Sequence, residues 1–227
     1  MRGSKCYGLM VNKSVRAIFT GAFLILLGIG LFIMWYFTEF AAFSFLVYVH
    51  ILGIMAIIMA DHFSFGGICS KELAEMGFLK SAVNGLDVVK KAVLVDFFIR
   101  SCCAFVLVVA PVVIGNAFMG YEMTTNKMWL MFIMAFAVLF AQNISILVSR
   151  HMTTMYIKMM TCSLLSVIAI FAEVITLLDA TDENGIQGLS ILIGALCLCG
   201  YLITSVLSFT DVNRVLKRSF YDQNRGK

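Results

Sequence analysis

Charged and titratable side chains inside long apolar runs come first, because a charge in hydrocarbon is costly to keep and marks function by default. The chain has few of them. His50 falls in the middle of one apolar run, Asp61 and His62 close that run, Asp96 and Arg100 open the next, and Glu173 lies in a later one. Asp96 and Arg100 are spaced i,i+4, which predicts a pair across one helical turn. Glu173 reads either as a residue reaching the outer lipid headgroups or as part of a polar pathway. His50 reads either as a hydrogen-bonded core residue or as a second pathway residue. Gln142 and Asn143, adjacent in an apolar run, read as polar glue between helices.

Templates for catalysis and metal binding do not fit. There is no Gly-x-Ser-Gly serine, no His-Glu-x-x-His pair, no Walker A loop and no GxGxxG turn. Cys197 and Cys199 are separated by one residue and have no partner pair, a spacing that zinc sites do not use. His50 is mid-run, whereas His62 and His151 lie at run boundaries, so facing haem ligands are not set up. The sequence therefore predicts no catalytic residue, no metal ligand and no cofactor in this chain.

The elements that position these residues follow from composition. Of 227 residues, 61% are hydrophobic and 13% charged, and mean hydropathy is +0.97. Soluble domains run near half apolar and a quarter charged. The chain reads as an all-α integral membrane protein, which excludes a disordered or nucleic-acid-binding role. About 20 apolar residues cross the hydrocarbon as a helix, and six such stretches are present: approximately 17–37, 41–60, 93–119, 128–148, 159–178 and 188–209. None alternates in polarity as a membrane β-strand would. The first is too long for a signal-peptide core, and Thr38-Glu39-Phe40 after it is no cleavage site, so it reads as retained. Pro111 interrupts one span and has no counterpart elsewhere, unlike the paired broken helices of many secondary transporters.

Lysine and arginine placement sets orientation. With six spans, all of the 17 basic residues except Lys127 fall on one side, so both termini are expected in the cytoplasm of a plasma-membrane protein. The opposite side has only short loops. Cys102, Cys103, Cys162, Cys197 and Cys199 fall within spans and Cys6 and Cys69 on the basic side, so no disulfide framework is expected. On the N-terminal arm, Tyr7, Leu9, Met10 and Val11 mixed with Lys5 and Lys13 read as a membrane-surface helix or a solvated tail.

One connection is long enough to be an element, 61–92. Ser70 reads as an N-cap with Glu72 in the first turn. Leu73, Met76, Leu79, Val83 and Leu86 recur every three to four residues, one face of a helix over 70–86, with Lys80 off the stripe. Asn84-Gly85 signals a turn, after which Asp87 can cap the third span. Such a helix either rests on headgroups or docks a cytoplasmic partner.

This pattern resembles the six-span permease subunits of bacterial ABC-type exporters, the type-2 exporter group. In short members the connection reads apolar-apolar-x-Ser-Leu-Pro-x-Ser/Thr-Arg, then acidic-apolar-apolar-Lys. Here Phe78, Leu79, Ser81, Asp87 and Lys90 match, Ala82-Val83 replace Leu-Pro, and Asn84-Gly85 replace Ser/Thr-Arg. The resemblance implies a coupling helix at Glu72, Leu73, Met76, Leu79, Lys80, Val83 and Leu86, docked on a separate ATPase subunit that holds ATP and Mg. It also implies a second permease chain, identical or not, and an apolar or amphipathic substrate such as a peptide, antibiotic or lipid-like molecule. Two other readings stay open: a non-catalytic subunit or assembly factor of a membrane complex, and a small channel or carrier.

Overall fold

The structure is a computed structural model that describes residues 3–37, 39–65, 84–119, 125–152, 154–180 and 188–221. Among these the chain forms seven helices and no strand: α1 (Gly3–Met10), α2 (Lys13–Tyr36), α3 (Glu39–Phe65), α4 (Gly85–Met119), α5 (Thr125–Ser149), α6 (Met155–Ala180) and α7 (Gly188–Tyr221). Six of them, α2 to α7, are long and apolar enough to cross a membrane. The protein is a multi-pass helical membrane protein.

The spans are longer than the apolar runs alone suggest. The third begins at Gly85, eight residues before the apolar stretch at Val93, and the sixth runs on to Tyr221. The opening turns of α4 carry Asp87, which pairs with Lys91 one turn on at 3.6 Å. At 34 and 35 residues, α7 and α4 each span about 50 Å, well beyond a ~30 Å hydrocarbon layer. Pro111 does not end α4, which continues through it to Met119. Its ring packs on α2 at Gly30, where a Cβ would fall 3.0 Å from Pro111 Cγ. Missing side chains of this kind let membrane helices approach closely.

Burial ranks the helices. Two-thirds (67%) of the most apolar window of α5 is buried, against 22% for α2 and 17% for α7. So α5 is the central post, with α2 and α7 at the periphery. The main core joins Leu46, Ile54 and Ile58 of α3 and Val108 and Val112 of α4 to Met134, Ala137 and Ala141 of α5.

A second, smaller core lies at the end of the bundle where the chain enters, called here the basic end. The segment α1 is neither a solvated tail nor a free surface helix. Cys6 and Val11 are buried with Phe65 at the end of α3 and with Val89, Ala92 and Val93 of α4. Leu86 packs on the edge of this cluster in the first turn of α4. It therefore belongs to the third span and not to the end of the helix read over 70–86. The other residues assigned to that helix, Glu72, Leu73, Met76, Leu79, Lys80 and Val83, lie outside the described residues.

Candidate functional site: two buried charge ties

The first tie sits at the basic end. Asp61, one turn before the end of α3, points inward with 1% exposure. Arg100 of α4 donates from Nη1 to Asp61 Oδ1 at 2.9 Å. Arg150, directly after α5, donates from Nη2 to the same oxygen at 2.8 Å and from Nε to Oδ2 at 3.4 Å. Arg100 also pairs with Asp96 one turn earlier on α4. All four side chains are nearly fully buried, and the two carboxylates balance the two guanidiniums. Lys158 at the start of α6 is buried nearby and acts electrostatically on Asp61. The i,i+4 pair read from the sequence is present, but it is the edge of a larger cluster that binds three helices through one carboxylate.

The second tie lies deeper. His50 of α3 and Glu173 of α6 meet in the interior, with His50 Nδ1 3.0 Å from Oε1 and 3.2 Å from Oε2. Glu173 is completely buried and His50 is 2% exposed, so Glu173 does not reach headgroups. Eleven residues of α3 separate His50 from Asp61, about 16 Å of helix. The thiol of Cys197 on α7 lies within electrostatic reach of Glu173 and is itself buried. His50 Nε2 is buried without a hydrogen-bond partner among the described residues. An imidazole bridging both oxygens of a dry carboxylate can hold one proton between two groups.

Two smaller contacts tie α7 to the centre. Asn143 Nδ2 of α5 donates to Ser205 Oγ at 2.9 Å, and Ser205 donates on to the Tyr201 carbonyl at 2.7 Å. Asn143 thus joins helices as its type suggested, whereas Gln142 Oε1 is buried without a partner among the described residues. At the basic end His151 Nε2 lies 2.7 Å from Asp211 Oδ2, partly exposed. Among the described residues no group of three or more metal-ligating side chains converges.

Compared with protein-family models, curated proteins and solved structures, the chain finds no match.

Proposed function

We propose that this chain is the membrane-spanning permease subunit of an ATP-driven exporter, seated in the plasma membrane with both termini in the cytoplasm and worked by a separate ATPase. The observation that carries this reading is the bond of Asp61 to both Arg100 and Arg150. It lies one turn inside the end of α3 at Phe65 and fifteen residues, about 22 Å, into α4 from Gly85, the two helix ends that bracket the connection 66–84. A force applied to that connection reaches α3 and α4 at once. Through the shared carboxylate it also reaches the central helix α5, and through His50–Glu173 it reaches α6. Docking of α1 on the first turns of α4 adds stiffness at the same place. The sparsely buried outer faces of α2 and α7 leave room for lipid or for a second permease chain.

The test is co-purification. The full chain, purified from its native membrane, should retain a soluble ATPase through detergent extraction, and Leu79→Asp or Val83→Asp should release it while membrane insertion is unchanged. An ATPase retained equally by both variants removes the docking role of 70–86.

One observation favours a second reading. The buried His50–Glu173 pair suits a small proton-linked carrier, for which proton flux into liposomes would appear without ATP and vanish in Glu173→Gln.

A further inference from the structure

Two adjoining spaces near the start of α2 carry an inference independent of the ATPase reading. The larger is an apolar groove of about 210 Å³ between α2 and α3. Its α2 wall is Val15, Ile18, Phe19 and Ala22, and its α3 wall is Ala56, Met59, Ala60 and Phe63. Both walls run i, i+3, i+4, i+7, so each is one continuous helix face. The small residues Ala22, Ala56 and Ala60 make the trough. Ile18 and Phe63 stand 73% and 68% exposed at its rim, so the groove opens sideways, toward the bilayer.

The smaller space is a polar slot that shares Val15, Phe19 and Ala60 with the groove and adds Tyr7, Arg16, Ser64, Asp96 and Arg100. Its volume is about 10 Å³, room for roughly one oxygen-sized group. Charge decides what that group is. Of the two guanidiniums that line the slot, Arg100 is held by Asp61 and Asp96, which leaves Arg16. Its Nε is buried without a hydrogen-bond partner among the described residues, an arrangement that is costly unless an acceptor arrives. The Tyr7 phenol, pushed up to about 12 mainly by burial and then by Asp96, remains a donor at neutral pH. An anionic oxygen at the slot and an apolar chain in the groove describe one molecule, because the two spaces stand side by side on the shared walls Val15, Phe19 and Ala60.

We propose that this is a binding site for an anionic phospholipid, one phosphate oxygen on Arg16 and one acyl chain lying between α2 and α3. Arg16 stands four residues into α2, at the depth where lipid phosphates meet a span. Any groove in a bilayer fills with acyl chain; the claim is selection by headgroup charge.

The experiment uses the full chain with Trp35→Phe, Trp129→Phe and Met59→Trp, which leaves one tryptophan on the groove wall. It is reconstituted in phosphatidylcholine vesicles containing an equal fraction of brominated phosphatidylglycerol or brominated phosphatidylcholine. Quenching by the brominated phosphatidylglycerol should exceed that by the brominated phosphatidylcholine by roughly threefold or more in apparent association, the effect of ~0.7 kcal/mol. Arg16→Gln should bring the ratio to one, and Arg16→Lys, which keeps the charge and controls for folding, should keep part of it. Inorganic phosphate in the buffer should leave the preference in place. Equal quenching by the two lipids with Arg16 present overturns the proposal, as does a preference that survives Arg16→Gln. Loss of the preference in inorganic phosphate overturns it in favour of a soluble anion.

Discussion

His50 and Glu173 are 123 residues apart in sequence and 3.0 Å apart in space, joined across α3 and α6 in the buried interior. A tie of this kind specifies which two helix faces meet more than it adds net stability. Taking two polar groups from water costs free energy that their hydrogen bond to each other roughly offsets. Removing one partner strands the other. Single replacements His50→Leu and Glu173→Leu should each destabilise the detergent-solubilised protein by about 1–3 kcal/mol. The double replacement by Leu and Met should recover most of that loss. Thermal unfolding of the four proteins reads the result, and two singles as stable as the parent would mean that no buried pair exists.

The basic-end cluster predicts an order instead of a single value. Asp61 is the acceptor shared by Arg100 and Arg150, so Asp61→Asn should cost about 3–5 kcal/mol. Among the described residues Asp96 pairs with Arg100, and Arg100 keeps Asp61 without it. Asp96→Asn should therefore cost less, about 1.5–3 kcal/mol, the range for a hydrogen bond to a charged group. The reverse order, read from denaturation midpoints, would show that Asp96 and not Asp61 is the hub.

These partners explain what could and could not be read from the sequence. The six spans were legible because a run of apolar residues long enough to cross a bilayer has few alternatives. The Asp96–Arg100 pair was legible because i,i+4 spacing on a helix fixes proximity. Asp61 and Arg150 are 89 residues apart, and helix order in a bundle is not written in periodicity, so the hub was not. The same holds for His50 with Glu173, each weighed singly as a pathway residue. The opening turns of α4 were legible from Asp87 as a cap, whereas the docking of α1 was not. Its apolar face becomes visible only when its partner, the cluster around Phe65 and Val89, is in place.

Docking of α1 gives a chemical test. Cys6 is fully buried beneath it, and Gly3 approaches α4 so closely that a Cβ would fall 2.9 Å from Val95 Cγ2. Gly3→Leu should lift the helix. In a chain retaining Cys6 as its sole cysteine, maleimide labelling should speed up by roughly tenfold or more, the effect of ~1.4 kcal/mol in local opening. Labelling at the parent rate would place the α1 anchor elsewhere, at Val11 or Tyr7.

Alkaline pH should act on the same helix. Tyr7 titrates at about 12 in the folded protein against ~10 in an unfolded chain. The folded state then holds a proton that the unfolded state releases, so the contribution is complete below pH ~10 and is lost as pH rises from there toward 12. Tyr7→Phe cannot ionise and should leave α1 docked across that window, by proteolysis after Met10. Equal release of the α1 segment from both proteins would assign the alkaline loosening to another group.

The peripheral helix α7 depends on its seam with α5, since little else buries it. At Gly200 an added Cβ would fall 2.7 Å from Cε2 and Cζ of Phe140, closer than real contacts allow. Gly200→Ala should therefore overpack the seam and cost about 1–3 kcal/mol, although alanine is the better helix former. Phe140→Leu alone thins the packing at a smaller cost. Together the two changes should fit, because the shorter side chain vacates the space the methyl needs. The double-mutant cycle should show a favourable coupling of at least ~1 kcal/mol. Strict additivity would mean that α7 shifts as a body to relieve the clash, and then the contacts Asn143–Ser205 and His151–Asp211 would carry the seam instead.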